Sequence, residues 1–153
     1  MRSPSRHIVP VVVLVAVLIR TGAAEAASDV TVQATAAAST LDIDGEGSAS
    51  THVVKIADVQ LTSDASGGLT VTVSASSIGR VGGRPIAVQV LLVPDGASPP
   101  TASEFTTPAG ATHTFSTSSA GTVHRDLYIK YTPAALQDPG EYTASIDLNV
   151  ADN

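Results

Sequence analysis

Several stretches of this chain carry side chains whose types and spacing suggest chemistry. His124-Arg125-Asp126-Leu127 copies the opening of a protein-kinase catalytic loop, where the Asp accepts a hydroxyl proton. That loop needs an Asn five residues after the Asp, and position 131 is Tyr131. No glycine-rich phosphate loop accompanies it, so Asp126 reads more simply as the polar entry to a strand. Gly79, Gly82 and Gly83, with Arg80 and Arg84, gather amides and cations as an anion site would. No Lys-Ser/Thr pair follows and no helix begins there, so a flexible hairpin tip is the better reading.

Asp42-Ile43-Asp44-Gly45-Glu46 opens like a calcium loop, because Ca²⁺ requires clustered oxygens. The full pattern ends in Glu at its twelfth position, which here is Val53. An Asp-Gly turn between strands is favoured, with a looser site on Asp42, Asp44 and Glu46 as the alternative. His52, His113 and His124 have no partners at metal-ligand spacing. Ser and Thr are abundant, yet no Gly-x-Ser-x-Gly elbow nominates a nucleophile, and the chain has no cysteine. The reading is of a protein that is not an enzyme and uses no cofactor and no metal.

The elements that would position these residues begin after a leader. Residues 1–26 combine a basic start (Arg2, Arg6, His7), an apolar run over 8–19 broken only by Pro10, and Ala24-Glu25-Ala26 as a small-residue cleavage site. That run is shorter than the ~20 residues a membrane span takes, and Arg20 ends it. The expectation is a signal peptide, export to the periplasm, cell surface or medium, and no stable membrane insertion after cleavage. Removing Arg2, Arg6, Arg20 and Glu25 with the leader leaves five basic against 13 acidic side chains, a net charge near −8. A scattered acidic surface argues against nucleic acid or anionic membrane as partners.

Beyond the leader the dominant period is two. Leu69, Val71, Val73 and Ala75 alternate with Thr70, Thr72 and Ser74; Leu127, Ile129 and Tyr131 alternate with Tyr128 and Lys130. Residues 86–93 are almost wholly apolar, which predicts a central strand, and residues 53–61 change phase between Ile56 and Ala57, which predicts a β-bulge. Gly- and Asp-rich turns separate these runs, and residues 94–110 form the longest irregular stretch. The pattern predicts an all-β protein, an antiparallel immunoglobulin-like β-sandwich of about seven to eight strands.

The two ends carry most of the functional information. Asp138, Gly140 and Tyr142 form the Asp-x-Gly-x-Tyr signature of a tyrosine corner, which opens the sixth strand of such a sandwich. Only 11 residues follow Tyr142, and the strand bearing Ala144, Ile146, Leu148 and Val150 consumes them, so a seventh strand has to come from elsewhere. At the other end, Val30, Val32, Ala34, Ala36 and Ala38 fall on one face of a ten-residue strand. Residues 27–39 thus form an N-terminal strand ahead of a sandwich domain over 40–153. It reads either as the first strand of its own sandwich or as a strand donated to another subunit.

With these pieces placed, VTVQATAAASTLDI, GLTVTVSAS and GEYTASIDLNV together resemble bacterial fimbrial subunits of the spore coat protein U type. The resemblance implies an immunoglobulin-like sandwich lacking its final strand, which a periplasmic chaperone and then a neighbouring subunit supply. It implies residues 28–39 as donor, with Val30 and Val32 filling the larger pockets and Ala34, Ala36 and Ala38 the shallow ones. The groove beside residues 142–150 would be the acceptor. Two features depart from the family, which usually carries a disulfide and ends after an aromatic-containing strand; this chain has no cysteine and closes on Ala-Asp-Asn. The expected function is an exported structural or adhesive surface subunit that self-associates or joins related subunits by donor-strand exchange. The alternative is a monomeric binding module using loops 76–85 and 94–110.

Overall fold

Alternation of small and β-branched residues is realised as eight strands in a computed structural model that describes residues 11–17, 28–39, 41–43, 49–137 and 141–153. In chain order they are β1 (Val11–Val17), β2 (Ser28–Ala34), β3 (His52–Ser63), β4 (Leu69–Ala75), β5 (Val88–Pro94), β6 (His113–Ser116), β7 (Gly121–Tyr131) and β8 (Tyr142–Asp152). One sheet has the order β1-β8-β4-β6 and the other β2-β3-β7-β5. Every pairing is antiparallel except β1 with β8.

Taking β2, β3, β4, β5, β7 and β8 as strands A to F gives A-B-E-D in one sheet and F beside C in the other. That is the immunoglobulin arrangement, and β1 lies where strand G belongs. The core forms between the sheets from the inward residues of each alternation. Leu69, Val71 and Val73 of β4 meet Ile146, Leu148 and Val150 of β8 on one side, opposed by Val59, Leu61, Val90, Leu127 and Ile129. In β4 and β8 the outward neighbours are Thr, Ser, Asp and Asn, so these strands bury one face and turn the other outward. The all-β sandwich read from the sequence is therefore the observed architecture.

The phase change in β3 is a bulge, as expected. Lys55 pairs with Tyr128 and Ala57 with Leu127, so Ile56 has no register partner on β7, and both Ile56 and Ala57 are fully buried. Two other expectations need correction. The apolar 86–93 run supplies β5, an edge strand and not a central one. Its outward face is covered by the 95–112 connection, where Gln89 Nε2 donates to the carbonyls of Phe105 and Thr107, and Phe105 is buried. A covering loop thus produces the two-sided apolarity that a neighbouring strand would.

The N-terminal alternation also ends sooner than its pattern suggests. β2 stops at Ala34, and Ala36–Ser39 make a 3₁₀ turn. Thr35 ends the strand by donating its N–H to the Ile56 carbonyl and its hydroxyl to the Lys55 carbonyl, and the Ala38 N–H then folds back onto the Thr35 carbonyl. Among the described residues no helix is long and apolar enough to cross a membrane.

Candidate functional site: the outer edge of the last strand

β8 is anchored on its β4 side over seven residue pairs, from Leu69–Asp152 to Ala75–Ile146. The ladder continues past β4, with Thr143 and Gly79 exchanging two backbone hydrogen bonds at 2.8 and 2.9 Å. Between them and the end of β4 the Ser76 N–H donates to the Ser145 carbonyl, and the Ser145 N–H to Ser76 Oγ. Thr143 and Ser145 therefore turn their backbone groups toward β4. By the alternation of a strand, residues 142, 144, 146 and 148 turn theirs to the opposite edge. Tyr142, Ile146, Leu148 and Val150 are buried toward the core and Ala144 is half-buried. The residues expected to form an acceptor strand thus combine core-facing side chains with outward-facing backbone groups.

That edge is occupied in this chain. β1 runs parallel to β8 in continuous register from Val11–Tyr142 to Val17–Leu148. The sequence division placed residues 1–26 outside the sandwich, whereas residues 11–17 take the G position within it. The stretch read as the donor lies in the other sheet. Residues 28–34 pair with β3 from Ser28–Ser63 to Ala34–Ala57, where Val30 is buried, Val32 half-buried and Ala34 exposed. Ala36 is exposed and Ala38 buried in the turn that follows. Within the chain, then, β1 and not residues 28–39 closes the edge, because β2 already serves as strand A. The sequence signal available for this was the apolar, β-branched run at 11–17, which has the same character whether it acts as a leader or as a strand.

Tyr142 fixes the start of β8. Its side chain is fully buried, and its hydroxyl accepts a hydrogen bond from Gln137 Nε2 at 3.0 Å. Gln137 also donates to the Arg84 carbonyl and accepts the Ala134 N–H, tying the 132–137 segment to the 79–84 hairpin. Of the tyrosine-corner residues, Asp138 and Gly140 lie outside the described residues.

A shallow groove of about 520 Å³ opens between Ser76, Ser77 and Arg80 on one side and Thr143 and Ser145 on the other. The 79–84 segment is a hairpin tip, as expected, with Gly82 at φ +73° and Val81 fully exposed.

The candidate chemical residues resolve differently. Asp126 is 2% exposed, and Asp58 stands directly opposite it across β3 and β7. Lys55 Nζ lies 2.7 Å from Asp58 and 2.8 Å from Asp126, and the Gly96 N–H donates to the second Asp126 oxygen at 3.3 Å. The hydrogen bonds that Lys55 Nζ donates to Asp126 first, and then to Asp58, hold its ammonium protonated well above its ordinary range. One oxygen of each of Asp58, Asp95 and Asp126 lies within 4.8 Å of the others, spacing that would suit a cation. Lys55 already places a positive charge against two of the three, so the cluster is organised around an ion-paired lysine and keeps a net negative charge. The sequence reading missed it; the bulge at Ile56 was its one available sign.

Of the suggested calcium ligands, Asp44 and Glu46 lie outside the described residues, and the Asp42 carbonyl accepts a hydrogen bond from the Tyr131 hydroxyl. The histidines are spread over the fold. His52 stacks on Tyr131, His113 sits on β6 where burial lowers its proton affinity, and His124 is exposed on β7.

No family model matches the chain, and no curated protein is significantly similar to it in sequence.

Proposed function

We propose that the chain is an exported, non-enzymatic structural or adhesive subunit whose β8 edge takes up a strand from another polypeptide. The observation that carries this reading is the place of β1 in the G position. The outer edge of β8 pairs with a strand that comes from the segment that reads as a leader. Loss of that leader would leave unpaired backbone groups along residues 142–148 and an opening onto the core. Strand addition repairs both at once, through ladder hydrogen bonds and side chains at alternate positions.

The donor is a related subunit or a second copy, and a periplasmic chaperone would hold the edge until the donor arrives. A second copy donating residues 28–39 must first release the seven β2–β3 residue pairs. A related subunit with a free N-terminal strand has no such cost. The acidic, cysteine-free composition of the chain suits this role. A second reading, a monomeric binding module, is favoured by the groove between Arg80 and Thr143 at the loop-bearing end of the sandwich.

The test is a chain beginning at residue 27, whose oligomeric state and melting temperature are followed with and without a peptide of residues 28–39. Assembly, or a monomer that gains several degrees on binding the peptide, is expected. A stable monomer indifferent to the peptide would overturn strand uptake and leave the binding-module reading.

A further inference from the structure

We infer that residues 11–17 are a built-in occupant of the β8 edge, so that the full chain is self-capped and the edge accepts an external strand only once they have left. This rests on the proposed strand uptake for its purpose, but the capping itself stands on the pairing. β1 matches β8 residue for residue over seven positions, and it runs parallel to it. It also passes beside the 36–39 turn.

The composition of β1 indicates a replaceable occupant. Alternate residues of a strand share a face, and a permanent strand at the edge of a two-layer sandwich has one face in water. β4 and β8 show the expected contrast, with Val71 and Val73 set against Thr70 and Thr72, and Leu148 and Val150 against Asp147 and Asn149. β1 has no such contrast. One alternating set is Val11, Val13, Val15 and Val17, and the other is Val12, Leu14 and Ala16. Neither set is polar, so the run lacks the two-faced alternation of β4 and β8. An incoming strand that alternates apolar and polar residues satisfies the same backbone groups and also matches the two-faced pattern of β4 and β8. The slot therefore fits a strand of at least seven residues with apolar side chains at alternate positions and polar ones between.

Because the chain has no cysteine, an engineered pair reports the pairing directly. Leu14 and Ser145 are register partners, so the L14C/S145C full chain, produced without export to retain the leader, should form an intramolecular disulfide under mild oxidation. L14C/N149C, four residues out of register, should not. In the oxidised L14C/S145C protein, binding of a strand peptide should be at least tenfold weaker than in a chain beginning at residue 27. As a second measurement, amide exchange at Ala144, Ile146 and Leu148 should be at least tenfold faster in the shortened chain, with Thr143 and Asp147 unchanged.

Absence of the L14C/S145C disulfide, or equal formation in the out-of-register pair, would overturn the capping, and these results need no folding of the shortened chain. So would equal peptide binding by the capped and shortened chains, or unaltered exchange at the three amides. A correct disulfide together with a shortened chain that ignores all strand peptides would keep the capping and sink the assembly reading. No disulfide, with a shortened chain that assembles, would do the reverse.

Discussion

The Lys55 ammonium lies 2.8 Å from the carboxylate of Asp126, on the outer face of the A-B-E-D sheet. Asp126 is almost wholly buried, and its cross-strand partner is another carboxylate, Asp58. Like charges directly opposite in a sheet destabilise it, and a buried carboxylate without a counter-charge costs more still. Lys55 meets both requirements, and it does so because the bulge at Ile56 resets the phase of β3 between Lys55 and Asp58.

Lys55→Met should therefore destabilise the fold by about 2–3 kcal/mol, less than for a fully buried pair because Lys55 is partly exposed. Asp58→Asn should cost well under ~1 kcal/mol, since Asp58 is half exposed and its loss also removes the repulsion. Urea denaturation at neutral pH measures both. Equal costs for the two variants would show that Asp126 does not depend on Lys55.

Stability should fall on the alkaline side. Burial first, and then the charge of Asp42, hold the Tyr131 hydroxyl protonated above its ordinary range, and Lys55 is raised in the same sense by its carboxylates. Both groups bind their protons more tightly folded than unfolded. Their contribution is complete below the unfolded values near pH 10 and is lost as pH rises beyond them. The melting temperature should hold steady between pH 7 and 9 and drop above about pH 10, and Tyr131→Phe should reduce that drop. Absorbance titration of the native protein should show Tyr131 ionising only as the protein unfolds.

Tyr142 and Gln137 should be coupled. Tyr142→Phe keeps the buried ring but loses the hydrogen bond from Gln137 Nε2, a loss of about 1 kcal/mol. Gln137→Ala should cost more, because Gln137 also holds the Arg84 carbonyl and the Ala134 N–H. A double-mutant cycle should return a coupling of at least ~0.5 kcal/mol. A value of zero would mean that the 132–137 segment does not brace the start of β8.

Two turn glycines should differ sharply. Gly68 has φ +77°, and a Cβ there would meet the Thr117 carbonyl oxygen at 2.6 Å, so Gly68→Ala must both adopt a disfavoured backbone and move a neighbouring strand end. A loss of about 2–3 kcal/mol is expected. Gly82 has φ +73° but open space around it, and Gly82→Ala should cost only about 1 kcal/mol. Thermal melts of the two variants give the comparison.

The sequence by itself determined the fold class, the faces of most strands and one irregularity. Alternation in residues 69–75 and 142–150 specifies which side chains enter a core, because a strand has period two and no other element does. The phase slip at Ile56 specifies a bulge for the same reason. Tertiary structure alone decided which strand neighbours which. Residues 86–93 are equally consistent with a central strand and with an edge strand roofed by a loop, since local pattern records burial but not what does the burying. Residues 28–34 and 11–17 are both competent edge strands, and neither local pattern says whether its place is beside β3 or beside β8. The ion-pair group joins β3 to β7, with Lys55 and Asp126 far apart along the chain, and nothing local to either residue signals the other. Pairing is a property of two segments at once, so the occupant of the β8 edge became visible only when both were placed in space.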